Sequence, residues 1–368
     1  MLPPQPMWRP PPDRRTATLV VEVVGVALGL VGVVWVLSAV LSEGGPVATA
    51  VAGVLAFGPL VGVLAVVAWV DRWEPEPRWM LLAALAWGIG VSTAVSLYLN
   101  DRFSLGVLSV TGSAMHTEVL TTVLGAPVVE EAAKGLGVLL VFLLRRRFFD
   151  GPVDGIVYAA VVAAGFAFTE NILYFVRFQE SLTEVYISRA IQSPFAHVTF
   201  TACTGIALGF ASRARHALAW VWLFPLGLVA ATLLHAVWNA SAVLAVYEVL
   251  YWLFQVPLFV AGIVLVVWLR NDEKATIGNR LSEYAAAGWF APQEITMLTS
   301  MRGRRRARRW AAARGPRAGA AMDEFQAAAT SLAFTRQRGL SGRYDLGVRR
   351  DEHELLDKVV RSRAEFAR

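Results

Sequence analysis

The sequence predicts an all-α membrane protein: a polytopic bundle of about eight transmembrane helices with a helical C-terminal tail in the cytoplasm. Three observations carry this. Of 368 residues, 56% are hydrophobic and only 17% charged, against about 25% charged in an ordinary soluble domain. The apolar residues fall in blocks near the length of about 20 that crosses a bilayer, and the blocks stop at Arg270. Charge divides at the same point. Residues 1–270 carry 15 Lys and Arg against 16 Asp and Glu, whereas 271–368 carry 19 against 12. The expected organisation is a Pro-rich N-terminal tail (1–15), a membrane domain (16–270) and a basic tail (271–368).

Eight blocks qualify as spans: 16–41, 46–70, 79–99, 118–144, 152–176, 190–211, 217–243 and 247–269. The first follows Arg14 and Arg15 as a signal peptide would, but its apolar run is too long for one and further spans follow. Between the seventh and eighth, only the polar step at Tyr247-Glu248 marks a break. Basic residues set the orientation. Arg9, Arg14 and Arg15, then Arg145–Arg147, then Arg213 and Arg215, then Arg270 all fall on one side of an eight-span bundle. That side is the cytoplasm, so both termini are expected there; the opposite loops hold Glu43, then Asp101 and Arg102, then Arg177 and Arg189 beside Glu180 and Glu184. Arginine outnumbers lysine 31 to 3, a mark of GC-rich coding that points to a bacterial plasma membrane. The single Cys203 gives neither a disulfide nor a Cys-based zinc site.

In the tail, residues 301–310 hold six arginines. They read as a solvated face that meets anionic lipid headgroups. No nucleic-acid module is present. Residues 351–366 read as a helix with Leu355, Val359, Val360 and Ala364 on one stripe.

A charge at mid-bilayer costs about 2.5–3.5 kcal/mol even on insertion scales, so charged residues inside the spans are functional candidates. Glu22, near the cytoplasmic edge, can snorkel or pair with Arg14 or Arg15. The others cluster: Glu130, Glu131 and Lys134 in the fourth span, Glu170 and Asn171 in the fifth, His197 in the sixth, His235 and Asn239 in the seventh. At 1.5 Å per residue, four helices bring them to one slab toward the outer face. Carboxylates and imidazoles around a buried polar pocket can activate water, directly or on a metal. They can also relay protons or bind a cation in a coupled transporter, or simply tie helices together. No H-E-x-x-H, no Gly-x-Ser-x-Gly and no membrane Tyr-Asp dyad occurs. Tyr344-Asp345 lies in the tail.

The motifs Glu130-Glu131-Ala-Ala-Lys134, Phe166-Ala-Phe-Thr-Glu170-Asn171, His197 followed by Phe200-Thr201, and His235-Ala-Val-Trp-Asn239 resemble those of the PrsW family of intramembrane proteases. The acidic, Pro-containing loop 71–77 is also similar. Relatives of that family, the CAAX prenyl endopeptidases and bacteriocin-processing membrane proteins, typically end the second motif in His and place Arg after the Glu pair; Glu170 and Lys134 fit the PrsW branch. The resemblance implies hydrolysis of peptide bonds in membrane-anchored protein substrates, of which anti-sigma-factor-like regulators are the family's founding example. It puts Glu130, Glu131, Glu170, His197, His235 and Asn239 at the catalytic site, with Lys134 and Asn171 as structural partners. No organic cofactor is expected. His197, His235 and Glu170 could hold zinc, although the reading leans to metal-independent water activation.

Spacing suggests a division of labour. A four-residue interval favours a Glu130–Lys134 pair, which leaves Glu131 to activate water. Asn239, four residues from His235, would orient that imidazole or donate to the oxyanion. Glu74 and Glu76 lie on the cytoplasmic side and read as loop structure.

Overall fold

A computed structural model describes residues 15–146, 149–340 and 346–367. The Pro-rich start, Arg14, Arg147, Tyr344-Asp345 and the side chain of Glu22 lie outside the described residues. All regular structure among the described residues is helical.

Helix α1 (Arg15–Val70) holds the first two expected spans in one assigned helix. Gly45, at φ 69° and ψ 176°, folds it back on itself. Val36 and Val40 of the first arm then share a core with Ala52 and Ala56 of the second. Only glycine takes that conformation freely, and Pro46 restarts the helix where a missing N–H does no harm. The bundle continues with α2 (Arg78–Thr111), α3 (114–144), α4 (Pro152–Arg177), a short α5 (182–192), α6 (Ala196–Arg213), α7 (Trp220–Val243) and α8 (Tyr247–Ala286). Among the described residues, six helices are long and apolar enough to cross a membrane. The difference from eight lies in α1, which contains two expected spans, and α3, which places the three charges of Glu130, Glu131 and Lys134 inside its apolar stretch. The candidate span over the sixth block, Gln179–Arg213, is interrupted. Ser193-Pro194 separates α5 from α6, so His197 sits in the first turn of α6.

Wide π-turns punctuate these helices at Trp87–Ser92, Thr121–Gly125, Ile187–Gln192 and Tyr251–Gln255. The last three end two residues before Pro127, Pro194 and Pro257. A proline has no N–H to donate and its ring crowds the preceding turn, and a π-bulge absorbs that mismatch.

Packing is that of a membrane bundle. On α7, Gly227, Ala231 and His235 are buried whereas Leu226, Val229 and Leu233 are exposed. Small and polar residues meet neighbouring helices while large apolar ones face outward, as in lipid. Helix α4 is central, buried without interruption from Pro152 to Phe166. Its Gly155 meets Gly205 of α6 so closely that a Cβ on either would strike the other's carbonyl.

Beyond Arg270, α8 continues unbroken, and α9 (Pro292–Leu298), α10 (Met301–Ala312), α11 (Pro316–Leu340) and α12 (Leu346–Ala367) follow. Their core includes Ile277, Leu281, Leu298, Phe325, Leu332 and Val359, and it takes in Trp73 from the α1–α2 loop. Two expectations change here. The α12 stripe runs through Leu356, Val359, Ser362 and Phe366, leaving Val360 exposed. Of the six arginines, Arg304 is no surface residue. It is 4% exposed and donates to the carbonyls of Leu298 and Trp73 and to Thr330 Oγ1. Its period on α10 turns it toward the core while Arg302, Arg305, Arg306 and Arg309 stay outside. Arg338 of α11 also pairs with Asp150 at 2.7 Å, so the tail helices are docked against the bundle.

Candidate functional site

Four helices converge on one polar cluster. Glu130, Glu131 and Lys134 come from α3, Glu170 and Asn171 from α4, His197 and Thr201 from α6, and His235 from α7. The π-turn ahead of Pro127 resets the rotation of α3. The polar face it presents is anchored at Ala133, whose carbonyl accepts from Trp87 Nε1 at 3.0 Å and Ser92 Oγ at 3.2 Å. Lys134 is fully buried and lies 4.4 Å from the centre of the Phe166 ring, a favourable seat for a cation.

The expected pairing is reversed. Lys134 Nζ binds Glu131 Oε1 at 2.5 Å, and Glu131 is saturated: Oε1 also accepts from His235 Nδ1 at 3.0 Å and Oε2 from Thr201 Oγ1 at 2.8 Å. Glu130 makes no such contact. Its Oε2 is buried without a hydrogen-bond partner and lies 3.9 Å from His235 Nε2. An interval of three serves as well as four along a helix, and the positions of Thr201 and His235 decided between them. The free carboxylate is therefore Glu130, not Glu131.

These contacts fix both imidazoles. A carboxylate only accepts, so His235 Nδ1 carries the proton and Nε2 the lone pair. An ammonium only donates, and Lys134 Nζ is 3.1 Å from His197 Nδ1. The proton of His197 is thus on Nε2, which donates to Glu170 Oε2 at 2.7 Å. Phe200 stacks on His235 at 5.0 Å and holds its plane.

Two further expectations change. Glu170 does not join a ligand set. Arg189, from the π-turn of α5, binds it and takes Asn171 Oδ1 at 2.8 Å. Among the described residues, the group whose donor atoms lie within 4.8 Å of one another is Glu130, His197 and His235. Asn239 neither orients His235 nor reaches the cluster: its Nδ2 donates to the carbonyl of Thr122, in the π-turn of α3, at 2.8 Å, which ties α7 to α3. Sequence reasoning missed Arg189, which read as an outer-loop charge. Thr201, in the His197–Thr201 interval, was legible but carried no assigned role.

A cation fits this group. Two neutral imidazoles and a carboxylate are a common donor set for zinc, and Glu130 Oε2, buried with no hydrogen-bond partner, is available as the carboxylate ligand. Each imidazole is held through its other nitrogen by a carboxylate, as in metal sites where the outer partner orients the ligand.

Fold and site together define a multi-pass helical membrane protein with a buried Glu/His centre able to bind a metal. The profile described as PrsW family intramembrane metalloprotease matches residues 76–262, and the chain belongs to that family of intramembrane proteases. It is similar to Protease PrsW of Clostridioides difficile (strain 630), at 27% identity over 225 residues, 57% of this chain and 87% of that one. It is 32% identical over 159 residues to Protease PrsW of Geobacillus kaustophilus (strain HTA426), covering 42% of this chain and 66% of the relative. For Protease PrsW of Bacillus subtilis (strain 168) the identity is 28% over 167 residues, 45% and 70% of the two chains. No solved structure matches. The family match ends before the tail helices α9–α12 begin.

Proposed function

We propose that this chain is a metal-dependent endopeptidase that cuts membrane-anchored proteins within the bilayer of a bacterial plasma membrane, with both termini and the tail helices in the cytoplasm. The observation that carries the reading is the convergence of Glu130, His197 and His235 from three helices, with one carboxylate oxygen left unpartnered. Those three residues would hold the ion. A divalent cation of zinc type supplies Lewis-acid polarisation of the scissile carbonyl and of the attacking water.

The chain's own groups do the rest. Glu130 would take the proton from water and return it to the leaving amine. Glu131 holds the His235 Nδ1 proton and stays neutralised by Lys134. Lys134 lies 3.1 Å from Nδ1 of His197, the nitrogen that would ligate the ion, so in a filled site its ammonium would keep only its bond to Glu131. Peptide substrates enter from a membrane phase, which suits the apolar surfaces of α7 and α8. The exposed arginines of α10 suit anionic lipid headgroups.

The test uses the full chain purified in detergent. About one ion per chain by elemental analysis, lost in His197→Ala and His235→Ala, is expected, together with chelator-sensitive cleavage. In cells, a comparative membrane proteome should show a substrate that accumulates uncut in Glu130→Gln. Full processing of every membrane protein in both Glu130→Gln and His235→Ala, or solute uptake driven by a proton gradient, would instead point to a transporter built on the same cluster.

A further inference from the structure

Arg189 sits where a surface charge was expected, yet it is built into the site. Its side chain is 18% exposed and that of Glu170 14%. Its guanidinium binds Glu170 Oε2, takes Asn171 Oδ1 through Nε at 2.8 Å, and lies 4.0 Å over the ring of Tyr174. Tyr174 is four residues from Glu170 and three from Asn171, so it stands next to both along α4. The element that carries Arg189 is itself anchored. Ser188 and Gln192 meet Tyr247, and the Gln192 carbonyl meets Tyr251, both at the start of α8. Arg177 makes a useful contrast. It pairs with Glu43 at 2.9 Å but is 58% exposed, an ion pair of the kind that contributes little.

We infer that Arg189 is a positioning residue of the intramembrane site: by holding Glu170 in place it fixes His197 with the proton on Nε2 and the lone pair on Nδ1. Glu170 is the acceptor for the Nε2 proton, and the Arg189 guanidinium binds the same carboxylate oxygen and holds it in that orientation. Without Arg189 the carboxylate has no reason to remain turned toward Nε2, and the imidazole keeps a single anchor, the Lys134 ammonium at Nδ1, about which it can rotate and exchange tautomers. Partners that orient a ligating histidine are typically worth about 10–100-fold in affinity or activity. The catalytic consequence rests on the protease reading; the tautomer does not.

The experiment separates the two. In a full-length background with His116, His216 and His353 replaced by Asn, only His197 and His235 carry the imidazole nitrogen signals. Histidine-specific ¹⁵N spectra should show His197 as a single Nε2–H tautomer. Arg189→Met should lose that single state, and Arg189→Lys, which keeps a cation on Glu170, should retain it. Adding Glu170→Gln to Arg189→Met should restore it, because a neutral amide carbonyl accepts from Nε2–H without needing a cation. That double variant also decides the matter if Arg189→Met fails to fold. Arg177→Met should leave the spectrum unchanged. For cleavage, Arg189→Met should lower kcat about 10–100-fold with KM little changed, and Arg189→Lys should recover most of it. An Arg189→Met spectrum identical to the parent's would overturn the proposal, as would a double variant that stays heterogeneous. If the spectra behave as described while no variant, nor the parent, cleaves a membrane protein, the protease reading fails and the positioning role stands.

Discussion

The molecule gathers carboxylates away from water in two places. In the membrane, Glu130, Glu131 and Glu170 stand among Lys134, Arg189, His197 and His235. Where the tail docks, the α1–α2 loop supplies Asp71, Glu74 and Glu76, and the chain entering α4 supplies Asp150 and Asp154. Cations reach this second group at its rim: Arg338 pairs with Asp150. Tyr158 donates to Glu76 Oε2 at 2.6 Å and Ser331 to Glu74 at 3.1 Å, bonds that bring no charge. Burial, reinforced by the Asp154 carboxylate, pushes Glu76 up to about 11. Burial also lifts Asp71 to about 7 against the backbone N–H of Glu76, and drives Glu74 well above the usual carboxylate range. The intramembrane cluster is therefore neutralised by fixed cations and the tail-side cluster by protons. The first should break when a partner is truncated and the second when pH rises.

The largest effect expected concerns the one carboxylate that neither device satisfies. Glu130→Gln should reduce turnover about 100- to 10,000-fold, the range of a lost general base, with little change in the unfolding of the metal-free chain, since Glu130 Oε2 has no protein partner to lose. A variant with near-normal cleavage would return the water-activating role to Glu131. Next is Lys134→Met, which leaves Glu131 charged and buried without its cation and should cost about 3–5 kcal/mol in detergent unfolding. Adding Glu131→Gln should recover much of that, whereas adding Glu130→Gln should not. Rescue by Glu130→Gln would show that the pairing is the reverse of the one seen.

On the tail side, Arg304→Met strands the carbonyls of Leu298 and Trp73. It should cost about 1–3 kcal/mol, the penalty of buried groups left unpaired. The readout is faster proteolysis between α8 and α12 with the membrane helices intact. Unaltered digestion would mean that the tail does not depend on this contact. The smallest effect is on pH. Between its ordinary value of 3.8 and about 7, Asp71 holds a proton in the folded chain that it has lost in the unfolded one. Stability from this group is thus fully present below about pH 4 and is lost as pH rises through 7. Tail protection should be greater at pH 5.5 than at pH 8, and Asp71→Asn should flatten part of that slope. Equal protection at both pH values would remove the contrast between the clusters.

The sequence by itself determined the class of molecule, the helices and the cast of the site. Long apolar blocks can satisfy their backbone in lipid only as helices, and charges are too costly there to be placed idly, so Glu130, Glu131, Lys134, Glu170, His197 and His235 stood out without a structure. It determined much less about which way each side chain points. Lys134 is within reach of both glutamates along α3; Thr201 and His235, on other helices, turned it to Glu131. Asn239 shares a face with His235 along α7, yet it is spent on the Thr122 carbonyl because α3 is widened there. Arg189 looked like a loop charge until the π-turn before Pro194 and the anchoring of α5 to α8 carried it onto Glu170. Arg304 looked solvated until the tail folded around Trp73. Periodicity along one helix fixes only which residues share a face. The rotation of that helix, and the partner it meets, come from packing between segments far apart in the chain, and that is where Glu130 was left free.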